Sequence, residues 1–444
     1  MSGRANPLVR SLAKAVCLLF YRIEVVGHVP EDGAVLLLPN HPNALLDPAL
    51  VWATAGRDVR FLAKSTLFDG PLRPVLAGAR AIPVYRRIDK GADTSRNVET
   101  FAEVSAALAQ GDAVCLFPEG ISHSTGRLEP LRTGAARMAL DAERAGHAVT
   151  LVAVGLNFDR KTTFRSRVAI VYGQPFSGRD LLPAPDADLQ DSVRALTDRI
   201  AGHMRRLLVE ADPAADAALV DRVDRLYAAA RGRARDPVDR LARRRTIAAG
   251  MERLRSVAPD RYDELLLRLR RYDERLRRFG IRDRHLDWQV GTQDAAVFAA
   301  RELAIGLVLV PLCLAGLLAF FVPYRLTGFA ARFATRERDV YATAQVISGA
   351  IIYGTWLGAV ALAAWWFGGR THALLAVIVL PLLAVASLFA IERESAVVDA
   401  VRSWLLLRRA RHETRERLRR RRSELADVLD EVHAWLSANN VRGS

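Results

Sequence analysis

The chain has 444 residues, a formal net charge of +15 and a hydrophobic share of 51%. It is long enough for more than one domain, and this balance points to anionic partners and a membrane. Cys17, Cys115 and Cys313 stand far apart with no metal or redox spacing, which excludes a thiolate metal centre and reads as reduced packing residues in a cytosol-facing protein. Lys14, Lys64, Lys90 and Lys161 are the only lysines. The basicity is therefore arginine, which suits bidentate phosphate contacts and also accords with a GC-rich genome.

Taken in chain order, residues 1–28 place Leu12, Ala15, Val16, Leu19 and Phe20 at helical spacing, with Arg10, Lys14 and Arg22 around them. The pattern predicts an amphipathic helix lying on a membrane. It is not a secretory signal, because no small-residue cleavage site follows a clean apolar core. Residues 29–210 alternate short apolar runs with helical stretches, so an α/β domain is expected there. Ala34–Leu38, Ala113–Leu116 and Val168–Tyr172 read as strands, and a long helix is expected after Asp186.

Residues 211–300 are highly charged. Leu265, Leu269, Tyr272, Leu276 and Phe279 form a stripe at three- and four-residue spacing, which predicts a long helix from Asp260 to Phe279 packed against another helix. Its arginines are interleaved with Asp and Glu, and no nucleic-acid motif accompanies them, so a nucleic-acid partner is not expected.

Residues 301–392 hold apolar stretches at Leu303–Phe321, Ile347–Phe367 and Ala373–Ile391, each near the ~20 residues that a membrane helix needs. Two or three spans follow. Arg325, Arg332, Arg336 and Arg338 lie between the first two stretches and only Arg370 between the last two, while residues 393–444 form a basic helical tail containing Arg408, Arg409, Arg411 and Arg419–Arg422. Positive charge favours the cytoplasmic face. With the amino-terminal domain, the first loop and the tail all on that face, Pro311 would mark a re-entrant hairpin and the last two stretches a hairpin out and back. Three full spans are the other topology.

Two polar clusters close predicted strands. Asn40-His41-Pro42-Asn43-Ala44-Leu45-Leu46-Asp47-Pro48 follows the first run, and Phe117-Pro118-Glu119-Gly120 follows Ala113–Leu116. Strand exits are where an open α/β sheet builds its site. A histidine with a carboxylate beside it can take a proton from an alcohol. In a regular helix, positions six apart lie roughly 240° round from each other. His41 must therefore sit in the loop, with Asp47 near the first turn of the next helix.

These residues resemble the glycerolipid acyltransferase family. The likeness rests on His41/Asp47, on Ala81-Ile82-Pro83-Val84-Tyr85-Arg86-Arg87, on Phe117-Pro118-Glu119-Gly120 with Pro130 to Leu140, and on Val152-Ala153-Val154-Gly155-Leu156-Asn157. It covers the first half of the chain. The spacer of five residues between His41 and Asp47, where the commonest pattern has four, and the continuation Ile121-Ser122-His123-Ser124 are similar to the fungal glycerol-3-phosphate and dihydroxyacetone-phosphate acyltransferases. The arginine that most lysophosphatidate acyltransferases carry after Glu-Gly is missing, and Arg132 is the cation expected to substitute for it.

The resemblance implies a mixed sheet flanked by helices, and transfer of a fatty acyl group from a thioester to glycerol 3-phosphate or dihydroxyacetone phosphate. Lysophosphatidate is the alternative acceptor, and a non-catalytic membrane scaffold the third reading. His41 and Asp47 would be catalytic, while Arg86, Arg87, Glu119, Gly120 and Arg132 would bind substrate. Neither a metal nor a cofactor is implied. The donor would be acyl-CoA or acyl carrier protein, the other partners membrane lipids and the glycerol phosphate acceptor. Such a protein is expected to be integral to the inner membrane with its catalytic domain facing the cytoplasm.

Overall fold

The computed structural model describes residues 5–70, 72–86, 94–183, 188–210, 214–232, 236–279, 283, 286, 292–335, 340–409 and 412–440. Two compact units divide the chain: residues 1–218, 236–245 and 336–343 form the first, and 219–235, 246–335 and 344–444 the second.

A seven-stranded sheet organises the first unit. Its strands are β1 (Tyr21–Val26), β2 (Ala34–Pro39), β3 (Val59–Lys64), β4 (Ile82–Val84), β5 (Ala113–Cys115), β6 (Val149–Phe158) and β7 (Ser166–Tyr172), in the order β1-β7-β6-β2-β5-β3-β4. All neighbours are parallel except β6 and β7, which form an antiparallel pair. Every residue of β2 is buried, as its unbroken apolar run requires of a central parallel strand covered on both faces.

The helices of this unit are α1 (Pro7–Phe20), α2 (Leu46–Thr54), α3 (Arg73–Gly78), α4 (Asn97–Ala109), α5 (Gly134–Arg144) and α6 (Gln190–Arg205). Leu36 and Leu38 of β2 join Leu108, Leu140, Leu196 and Ile200 of α4, α5 and α6 in one buried cluster. Val35 and Leu37, also fully buried, turn to the opposite face because strand side chains alternate.

The strands expected at Ala34–Leu38, Ala113–Leu116 and Val168–Tyr172 are β2, β5 and β7, each shifted by a residue or two at one end, and the helix after Asp186 is α6. The helix expected over residues 1–28 stops at Phe20. Tyr21–Val26 instead pairs with β7 from Tyr21↔Ser166 to Val26↔Val171. Ile23, Val25 and Val26 are β-branched and favour a pleated backbone, and the sheet supplies their hydrogen-bond partners. Gly27 ends the strand at φ +78°, where a Cβ would stand 2.3 Å from the Tyr172 carbonyl oxygen, so only glycine fits.

The second unit is helical, formed by α9 (Pro259–Phe279), α10 (Thr292–Ala334) and α12 (His412–Asn440) and by most of α7 (Ala214–Arg231), α8 (Pro237–Val257) and α11 (Tyr341–Arg409), whose first residues belong to the first unit. In α9 the predicted stripe Leu265, Leu269, Tyr272 and Leu276 is buried. The carboxy-terminal basic segment folds back onto its own unit. From α12, Asp430 accepts the Tyr227 hydroxyl at 2.7 Å and Asp427 pairs with Arg231 at 2.7 Å. Arg261 of α9 lies 4.8 Å over the Trp435 ring.

Helix α10 runs unbroken through Pro311 and Pro323, so the re-entrant hairpin envisaged at Pro311 does not form. A proline inside a helix frees the carbonyl four residues earlier. For Pro323 that carbonyl belongs to Ala319, and the Trp356 indole N–H of α11 donates to it at 3.0 Å. A neighbouring helix thus supplies the bond that the proline removes. Leu309–Ala334 and Tyr341–Leu388 are long and apolar enough to cross a membrane. The second has 48 residues, about 70 Å of helix. It is broken at Gly369, which takes φ +75° and ψ −170°.

Candidate active site

Strands β2 and β5 are parallel neighbours, so the loops that leave their carboxyl ends emerge side by side. The first carries His41 and leads into α2, of which Asp47 is the second residue. The second carries Glu119. The sheet thus brings together two clusters 78 residues apart in sequence.

His41 Nδ1 lies 2.9 Å from Asp47 Oδ2. Asp47 is fully buried, whereas the His41 side chain remains 18% exposed. The Asn43 backbone N–H donates to the same Asp47 oxygen at 2.6 Å, and Asp47 Oδ1 has no hydrogen-bond partner among the described residues. Burial pushes the Asp47 carboxyl above its ordinary range, opposed by His41, the Asn43 N–H and the charge of Lys161. Asn43 is itself held, because its side-chain amide donates to the Tyr21 hydroxyl at 2.7 Å. Tyr21 in turn donates to the Lys161 carbonyl. Ala44 adopts the left-handed region at φ +41°, and its N–H donates to Ser122 Oγ at 3.0 Å. This turn absorbs the long spacer and lets the side chains of His41 and Asp47 meet.

Glu119 is 2% exposed and serves as a junction. Its Oε2 accepts the His41 backbone N–H at 2.8 Å and lies 2.9 Å from His123 Nε2, while its Oε1 accepts the Glu129 N–H at 3.3 Å. The His123 N–H returns to the His41 carbonyl at 3.0 Å. Phe117 stacks on the His41 imidazole with ring centroids 4.0 Å apart. Burial pulls His123 down, but contact with Glu119 and the charge of Glu129 outweigh it and leave its pKa raised.

Gly120 sits at φ +76°, and a Cβ there would stand 3.3 Å from Arg132 Cγ. Arg86 donates to the Gly120 carbonyl at 2.9 Å, and the Arg132 N–H donates to the Pro118 carbonyl at 2.7 Å. Of the residues expected at the site, His41, Glu119, Gly120 and Arg132 therefore lie on the two loops, Asp47 stands in the first turn of α2, and Arg86 reaches Gly120 from the segment after β4. Arg87 lies outside the described residues. Sequence reasoning missed Tyr21 and Lys161, whose ammonium donates to the Pro42 carbonyl at 2.7 Å and to Ser124 Oγ at 2.6 Å. The rarity of lysine in this chain was the available signal. Among the described residues no group of three or more His, Cys, Asp or Glu gathers as a metal cage.

Comparison with known proteins gives a family match over residues 22–157, to the acyltransferase model. The glycerol-3-phosphate O-acyltransferase 2 of Saccharomyces cerevisiae is 40% identical over 88 residues, 19% of this chain and 12% of that protein. Glycerol-3-phosphate O-acyltransferase 1 of the same yeast is 31% identical over 27% of this chain and 16% of its own length. The lyso-ornithine lipid O-acyltransferase of Brucella abortus is 32% identical over 34% of this chain and 57% of its own length. The chain thus spans between about an eighth and a little over half of these relatives. A 1-acyl-sn-glycerophosphate acyltransferase from Thermotoga maritima superposes with a TM-score of 0.31 at 16% identity, over 44% of this chain and 76% of that one.

The raised His123 sets a pH dependence. A histidine that binds its proton more tightly when folded stabilises the fold fully below its ordinary value of 6.5, and loses that contribution as pH rises through the folded value. The thermal stability gap between wild type and His123→Gln is therefore expected to be widest below pH 6.5 and to narrow as pH rises above it. Parallel melts across that range check it, and a gap that widens with pH contradicts the assignment.

Proposed function

We propose that this chain, whose residues 22–157 match the acyltransferase family, moves a fatty acyl group from a thioester to the hydroxyl of glycerol 3-phosphate or dihydroxyacetone phosphate. The observation that carries this reading is the 2.9 Å contact between a part-exposed His41 and a buried Asp47. With Nδ1–H donated to Asp47, the imidazole offers Nε2 to the acceptor hydroxyl. His41 takes that proton as the oxygen attacks the thioester carbonyl, and Asp47 offsets the imidazolium that forms. The thiolate then leaves as the tetrahedral intermediate collapses, taking a proton. Glu119 fixes the His41 backbone, while Gly120, where Arg86 and Arg132 converge, forms the edge at which those guanidinium groups hold a phosphate. The donor is acyl-CoA or acyl carrier protein, both of them anionic.

A second acceptor class has its own support, since the Brucella relative is named for a lysolipid acceptor. Lysophosphatidate is accordingly the alternative substrate. Purified protein given one labelled acyl thioester and, separately, glycerol 3-phosphate, dihydroxyacetone phosphate and lysophosphatidate decides between them. We expect transfer to one of the first two, a loss of roughly 10²- to 10⁴-fold in His41→Ala, and in Arg86→Ala a KM that rises more for the acceptor than for the donor. A folded His41→Ala protein within about tenfold of the wild-type rate would sink the mechanism.

We also place the chain in the inner membrane with its catalytic domain in the cytoplasm. Among the described residues, no helix before Leu309 is long and apolar enough to cross, so the residues up to α9 share one side. Helix α12 packs on α7 and α9, so the chain returns to that side and crosses an even number of times. Ser256→Cys and Ser437→Cys, each exposed and each in a cysteine-free background, should both resist a membrane-impermeant thiol reagent in intact spheroplasts. Both should react after lysis. Labelling of one and not the other would mean three crossings.

A further inference from the structure

The reading above assigns no role to Lys161, yet its side chain and its backbone both grip the histidine loop. From the stretch between β6 and β7, its ammonium donates to the carbonyl of Pro42, the residue after His41, at 2.7 Å. It also reaches Ser124 Oγ at 2.6 Å and the His123 carbonyl at 3.4 Å. One cation thus ties the loop that carries His41 to the loop that carries Glu119. At its own backbone, the Lys161 carbonyl accepts the Tyr21 hydroxyl, which accepts the Asn43 side chain, whose N–H in turn donates to Asp47. The contacts close a ring around Pro42 and Asn43, the residues that set the angle between His41 and Asp47.

We propose that Lys161 is a positioning residue for acyl transfer, locking the two site loops together and supplying the positive charge beside the buried His41–Asp47 pair. The residue type fits the task. An ammonium is a compact charge with three donors that radiate from one atom, whereas arginine presents a planar fork. Three acceptors from two loops converging on one point suit the former. In a chain whose basic residues are nearly all arginine, the lysine at this position is explained by that geometry. Its charge lies among other ionisable groups facing the pair: Cys17 from α1, Tyr21 from β1, Cys115 from β5, and Glu119 and His123 from the loop after β5. Lys161 is the cation among them that favours the ionised form of Asp47.

The inference rests on the acyltransferase reading, so its test uses two readouts, one of which needs no substrate. In the full chain in detergent micelles with isotope-labelled histidine, the imidazole signal lost in His41→Gln reports proton uptake by the His41–Asp47 pair. Removing a nearby positive charge favours protonation of both partners. In Lys161→Met the titration should move up by about one to two pH units, the effect of a unit charge roughly 6 to 12 Å away at an effective dielectric constant near 20. Lys161→Arg should titrate like wild type. In the transfer assay, Lys161→Met should lose roughly ten- to a hundredfold in kcat with the acceptor KM within about twofold of wild type, and Lys161→Arg should recover only part of the rate. An unmoved titration in Lys161→Met, with a rate loss that merely follows a lower melting temperature, overturns the proposal. A raised acceptor KM at unchanged kcat overturns it too and makes Lys161 a phosphate ligand. Wild-type protein that transfers to no acceptor refutes the functional reading alone, because the titration still decides the role of Lys161.

Discussion

A carboxylate shut away from water is costly unless hydrogen bonds and opposite charge replace its hydration. Asp47 is such a group, and much of the surrounding structure answers to it. His41 and the Asn43 N–H converge on one of its oxygens, and Asn43 is held by Tyr21, which is held by Lys161. Burial still keeps the acid form of Asp47 favoured beyond its ordinary range. The 2.9 Å contact with His41 opposes that burial and holds carboxylate and imidazole together, the geometry that general-base catalysis uses.

The sheet makes the arrangement possible. A parallel pair of strands sends two loops out at the same edge, and here β2 and β5 deliver the histidine and the glutamate that braces it. Glu119 spends both oxygens on backbone N–H groups and on His123, so its contribution is rigidity in the loop from which His41 projects. Gly120 beside it has no side chain, which leaves room for Arg132 and exposes a carbonyl to Arg86. Stiff loops matter because proton transfer from an alcohol tolerates little error in position.

Much of this was legible in the sequence, for identifiable reasons. The central strands carry unbroken apolar runs and could be placed within a residue or two, and the six-residue offset from His41 to Asp47 forced one into the loop and the other into the helix. The α9 stripe gave its helix by periodicity. What escaped was set by tertiary pairing. Tyr21–Val26 reads as the continuation of an amphipathic helix until β7 offers it an edge. Pro311 reads as a break, yet α10 continues through it and through Pro323, where a neighbouring helix supplies the missing bond as Trp356 donates to Ala319. Lys161 lies 119 residues from Pro42, and no local pattern announces a cation whose partners are backbone carbonyls of other loops. Glu119 was recognisable as part of the site, but its two-sided bracing was not, because the acceptors and donors involved are main-chain groups that every residue has.

The central claim is that His41 and Asp47 act as one unit in acyl transfer, and a double-variant cycle tests it most directly. Residues that work as a unit lose activity non-additively. The account predicts that the protein carrying both His41→Ala and Asp47→Asn transfers acyl groups at about the rate of His41→Ala alone. A double variant in which the two single losses multiply would show independent roles and contradict it.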